Sequence, residues 1–110
     1  MVVITRDRYV VFQVISNEDL PTLSSIKSKI WDEYQIIFGV NGTTGAGLFF
    51  DNYNEIIGAG IIRCEHKALS NLMIILSRIT AINNAEVILI SLYTTGLVNK
   101  AKRYLKILEK

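Results

Sequence analysis

One cysteine, one histidine, one proline and one tryptophan occur in 110 residues, and these scarcities remove whole classes of function. With Cys64 alone, no internal disulfide can form, and a reducing, cytoplasmic location is expected. Cys64 and His66 are close in sequence, but two residues at a strand end make no triad, and the cysteine reads as a small packed hydrophobe. One His and one Cys are too few to ligate a metal. No Gly-x-Gly-x-x-Gly, Walker or His-Glu-x-x-His spacing occurs. The sequence therefore offers no catalytic residue and no metal or cofactor site. Long hydrophobic runs are missing too: the stretch around Leu72–Leu76 is broken by Ser77 and Arg78, so no membrane span is expected. Met1–Arg8 has no basic region followed by an apolar core, which argues against a secretory leader.

What is present points to a single domain over residues 1–110. Half the residues are hydrophobic and a fifth are charged, enough apolar material for one core and far from the disordered regime. The net charge of +2 conceals a split. Residues 1–96 hold seven Lys/Arg against nine Asp/Glu, a balance of −2, whereas residues 97–110 hold five against Glu109, a balance of +4. The surplus positive charge thus lies in the last segment, where it suits a phosphate-bearing partner. A solvated helix face is the simpler alternative.

The order of elements follows from periodicity. Arg8–Ser16 is rich in β-branched and aromatic residues and reads as a central strand, apolar on both faces. Ser16–Thr22 gathers capping residues, early acids and Pro21, and opens a helix running to about Phe38. The glycine-rich Gly39–Gly47 segment reads as a flexible connection. It could cradle an anion through its backbone, but it lacks a lysine to complete a phosphate site. Leu48–Asn52 and Ile56–Cys64 form a hairpin, with Gly58 and Gly60 marking a close approach to the backbone. Glu65 to about Ile82 reads as a second helix with only a narrow polar strip, so it is covered on more than one side. Val87–Tyr93 is a last strand, apolar throughout and read as buried on both faces.

Beyond the Thr94-Thr95-Gly96 turn a final helix begins. At about 100° per residue, Leu97, Val98, Ala101, Tyr104, Leu105 and Leu108 share one arc, and Lys100, Lys102, Arg103, Lys106 and Lys110 share the other. The expected class is α+β: a ferredoxin-like or RNA-recognition-like sandwich with a four-stranded antiparallel sheet in βαββαβ order, plus a C-terminal basic helix. That helix or a partner protein would cover the second sheet face. Gly47-Leu48-Phe49-Phe50 is a faint echo of a base-stacking strand without its full pattern, so Phe49 and Phe50 read as core.

In order and spacing, Arg8-Tyr9-Val10-Val11-Phe12, Gly60-Ile61-Ile62-Arg63-Cys64, the long apolar helix, and the apolar strand entering Thr94-Thr95-Gly96 and a Lys/Arg-rich helix together resemble component 2 of archaeal ribonuclease P. The similarity spans about Arg8 to Leu105. The family usually has Ser-Gly-Thr where this chain has Thr95-Gly96-Leu97. The resemblance implies a non-catalytic subunit of the enzyme that removes the 5′ leader of precursor tRNA, with catalysis by the RNA component and its magnesium. It implies ribonuclease P RNA and protein component 3 as partners, the latter as a heterotetramer, and precursor tRNA as an indirect one. Candidate RNA contacts are Lys100, Lys102, Arg103 and Lys106, with Thr95 and Gly96 presenting the helix N-terminus and Arg63, Arg8 and Lys67 as further cations. Phe49 and Ile74 are candidates for the protein interface. Two other classes fit the same pattern: a homodimeric ferredoxin-like regulatory module that binds a small ligand, and an acylphosphatase-like enzyme built on the glycine loop.

Overall fold

The structure is a computed structural model and describes residues 7–44 and 46–110. Strand β1 (Asp7–Ser16) leads to helix α1 (Leu23–Thr44), the hairpin strands β2 (Phe49–Asn54) and β3 (Ala59–Glu65), and a single 3-10 turn, His66–Ala68. Helix α2 (Leu69–Arg78), strands β4 (Ala81–Ile82) and β5 (Ala85–Thr95) and helix α3 (Val98–Leu108) complete the chain. The sheet order is β2-β3-β1-β5-β4, and every pairing is antiparallel. The expected βαββαβ core with an added helix is therefore present, extended by a fifth, two-residue edge strand.

That extra strand corrects the reach of the second helix. Apolar residues continue at helical spacing through Ile79 and Ile82, but α2 stops at Arg78 and Ile79 is already extended, at φ −77° and ψ 117°. Asn83 and Asn84 both hold positive φ, 51° and 68°. They lie between the paired residues Ile82 and Ala85, and positive φ at both central positions is the mark of a type I′ hairpin turn. The start of α1 follows the sequence more closely: Thr22 Oγ1 accepts the Ser25 N–H at 3.3 Å, satisfying one of the free first-turn donors. Gly39 breaks that helix, with φ 74° and ψ 179°, yet helical geometry resumes to Thr44, where an open loop was expected. Gly45 of the same segment lies outside the described residues.

Two cores use the two sheet faces, because successive strand residues point to opposite sides. Val10, Phe12 and Val14 of β1 pack under α1 and α2 with Ile26, Ile30 and Leu72. Val11, on the other face, packs with Ala59, Ile61, Ala101 and Leu105. The C-terminal helix thus supplies the second layer. It begins at the end of β5, and its far end is held where Asn54 Nδ2 donates to Glu109 Oε2 at 3.1 Å. Since β5 and β2 lie on opposite sides of the β3–β1 pair, α3 crosses the face obliquely and leaves two corners uncovered.

Those corners correct two expectations of full burial. In β5, Ala85, Val87 and Leu89 are buried but Ile88 is 59% exposed, and its partner Ile15 on β1 is 50% exposed. Strand β5 is therefore buried on one face only at this end, beyond the reach of α3. At the opposite corner Phe50 joins the main core, but Phe49 is 52% exposed. Gly58 and Gly60 do mark close approaches: a Cβ at Gly58 would lie 2.9 Å from Val14 O, and one at Gly60 would lie 3.0 Å from Tyr53 Cα.

Candidate nucleic-acid interface

Helix α3 is built to show cations. Ala101 and Leu105 are buried against the sheet, and Tyr104 stacks on Tyr93 with ring centroids 4.9 Å apart. Burying that arc turns Lys100, Lys102, Arg103 and Lys106 outward, and all four are exposed. Among the described residues, the only ion pairs join Glu33 to Lys29 and Arg78, so none of these four cations is neutralised by a carboxylate. They divide between two flanks. Lys102 and Lys106 line a groove of about 600 Å³ against Tyr53, Asn54 and Glu55 of the β2–β3 hairpin. Lys100 and Arg103 border Tyr93, Tyr104 and Ile107 on the β5 side.

The helix start is open. Leu97 occupies the N-cap position, and no side chain caps the first turn. Thr95 Oγ1 instead accepts the Leu97 N–H at 3.2 Å, just outside the helix. Arg8 reaches this turn from β1: a Cβ at Gly96 would lie 3.1 Å from Arg8 Nη1. The same Nη1 donates to Asp7 O at 3.0 Å. The sequence-predicted residues Arg8, Thr95 and Gly96 are thus brought together at the N-terminus of α3. Free N–H groups, the positive end of the helix dipole and a guanidinium there suit an anion.

Arg63 stands at the same end of the sheet, paired with Tyr9, which in turn pairs with Thr95. Its guanidinium lies 5.0 Å from the Phe49 ring centroid. Lys67 is exposed in the 3-10 turn that follows β3. Arg63 forms no salt bridge with the neighbouring Glu65. Phe49 and Ile74 do not share a surface. Ile74 is 47% exposed on α2, which covers one sheet face, whereas Phe49 stands on the other.

The sequence reading missed Ile15 and Ile88. Glu86 and Ile88 alternating with buried Ala85, Val87 and Leu89 was the available signal, obscured because position 88 is itself apolar. It also missed Asn54, whose amide ties the end of α3 to the hairpin.

Nucleophilic chemistry finds no support around Cys64. Burial, reinforced by Asp7 and partly opposed by Arg8, pushes its thiol up to about 11, away from the reactive thiolate. Among the described residues, no three His, Cys, Asp or Glu side chains cluster as a metal site. No helix of the structure is long and apolar enough to cross a membrane.

The fold is thus a split β-α-β sandwich whose added helix displays a row of exposed cations without an ion-pair partner among the described residues. The chain belongs to the Rpp14/Pop5 family, whose model matches residues 8–106. It is 29% identical over 98 residues to ribonuclease P protein component 2 of Pyrococcus abyssi, covering 89% of this chain and 82% of that protein. The component 2 protein of Thermococcus kodakarensis is 30% identical over 98 residues, covering 89% and 81% respectively. In fold, the chain is similar to one in the cryo-EM structure of yeast ribonuclease MRP. The TM-score is 0.70 at 10% identity, over 99% of this chain and 92% of the other. The component 2 resemblance seen in the sequence is thereby established.

Proposed function

We infer that this chain is a protein subunit of ribonuclease P, acting on tRNA maturation by holding the RNA component rather than by chemistry of its own. Family membership and the names of its relatives support the assignment. The observation that carries the mode of action is the exposed row Lys100, Lys102, Arg103 and Lys106 on α3, none of them in an ion pair among the described residues. Packed RNA phosphates repel one another, and cations placed between them release condensed counterions and favour the compact RNA.

On this reading Thr95, Gly96 and Arg8 add a phosphate contact at the start of α3, and Arg63 and Lys67 extend it along the sheet end. The magnesium needed for cleavage resides on the RNA, in the cytoplasm, and precursor tRNA meets this chain only through the RNA. Component 3 is the protein partner, forming a heterotetramer, and apolar surface for it is exposed at Ile15, Ile88 and Ile74.

Reconstitution tests the proposal. Precursor-tRNA cleavage by the RNA and its other proteins is measured with and without this chain across magnesium concentrations. The chain should raise cleavage and lower the magnesium requirement. Identical cleavage curves would overturn the assignment.

A further inference from the structure

The corner of the sheet beyond the start of α3 holds a pair that the basic helix does not account for. Phe49 opens β2 and pairs in register with Arg63 of β3. Both stand on the α3 side of the sheet, but α3 starts above β5, on the far side of β1 and β3. Its far end is tied to β2 at the opposite end of that strand, where Asn54 donates to Glu109. The Phe49 ring is therefore left half in solvent. The Arg63 guanidinium lies over one side of it, 5.0 Å from the centroid.

Arg63 is held but not satisfied. Its Nε is buried and has no hydrogen-bond partner, and among the described residues no carboxylate lies within ion-pair distance. A cationic donor removed from water without an acceptor is costly, and a cation–π contact offsets only part of that cost. The corner thus presents an open aromatic face beside a guanidinium with spare donors. An inorganic anion would use only the arginine, and an apolar side chain only the phenylalanine. An unpaired nucleotide uses both, because its base has a π-face and it carries acceptor oxygens.

We propose that Phe49 and Arg63 hold one unpaired nucleotide of an RNA, with its base on the open side of the Phe49 ring and an acceptor of the same nucleotide on the Arg63 guanidinium. This rests on the reading of the chain as an RNA-binding subunit and adds a contact that depends on the base being unstacked. The cations of α3, by contrast, meet phosphates whether or not the strand is paired. It also departs from the sequence-based expectation that Phe49 is core.

The test uses the full chain and two probes: a short single-stranded ribo-oligonucleotide carrying 2-aminopurine, and an RNA duplex of equal length. Stacking on Phe49 should quench the probe in the single strand. Phe49→Leu keeps apolar bulk and removes the π-face. It should abolish most of the quench and weaken single-strand binding on the order of tenfold, with duplex binding unchanged. Phe49→Trp should restore both. Circular dichroism checks that each variant is folded. Wild-type quench and affinity in Phe49→Leu would overturn the proposal. If Lys102→Glu/Arg103→Glu loses both RNAs while Phe49→Leu loses neither, this inference fails and the RNA-binding reading stands. If the unaltered chain binds neither RNA, both fail.

Discussion

The Tyr104 ring lies parallel to that of Tyr93, with centroids 4.9 Å apart and planes 10° apart. This contact fastens α3 to the strand from which it has just emerged. It fixes the rotation of the helix, and hence which side chains face outward. A double-mutant cycle with Tyr93→Leu and Tyr104→Leu should give a coupling of about 0.5–1.5 kcal/mol in urea unfolding. Additive losses would show that the rings are neighbours without mutual stabilisation.

Charge reversal separates the function of α3 from its folding. Lys102 and Arg103 are exposed and pair with no carboxylate among the described residues. The double variant Lys102→Glu/Arg103→Glu should keep its unfolding free energy within a few tenths of a kcal/mol, because surface charges contribute little to stability. RNA affinity should fall, and the slope of log affinity against log salt should shrink by roughly 1–2. An unchanged slope would remove α3 from the interface.

Gly58 tests the packing of the hairpin turn against β1 and the Leu20 side chain that follows it. It holds φ 71°, and a Cβ there would lie 2.9 Å from both Val14 O and Leu20 Cδ2. Its own carbonyl accepts the Val14 N–H at 2.7 Å, so the backbone cannot retreat without losing that bond. Gly58→Ala combines left-handed strain with a clash and should cost about 2 kcal/mol or more in chemical denaturation. A neutral outcome would mean that the hairpin yields.

Cys64 gives a pH signature. Its thiol is pushed up to about 11 from 9.0, chiefly by burial. Below pH 9 it is protonated in the folded and unfolded chains alike, and its contribution to stability is intact. As pH rises from 9 towards 11 the unfolded chain releases the proton first, so stability is lost through that window. Cys64→Ala should be less stable at neutral pH through lost packing but show a flatter decline above pH 9. Iodoacetamide should label the native thiol far more slowly than the unfolded one. Rapid labelling of the folded chain would contradict the burial.

How far the sequence carried depended on whether local pattern or long-range geometry decided each feature. Val10, Phe12 and Val14 alternating with Val11 announced a strand covered on both sides, and that is a local pattern. The amphipathic arc of α3 was equally legible, since one helix turn decides which residues share a face. The end of α2 was not, because Ile79 and Ile82 continue helical spacing, and only the paired positive φ values at Asn83 and Asn84 turn the chain. Nor could the sequence place Arg8 beside Gly96, or Phe49 beside Arg63. Those neighbours arise from strand register between distant segments. The exposure of Ile15 and Ile88 depends on the oblique path of α3, which no periodicity encodes.

Beyond Val87, which donates to Thr80 O at 2.9 Å, strand β5 has no neighbour on its outer edge among the described residues, and Ile88 lies bare on its face. An unpaired strand edge beside apolar surface is a template for another strand. Handled alone at high concentration, the chain should adhere to itself, with light scattering that grows with protein concentration. A bound partner that masks this rim should suppress the scattering. Stability of the isolated domain and its tendency to clump are therefore separate properties here, set by different residues.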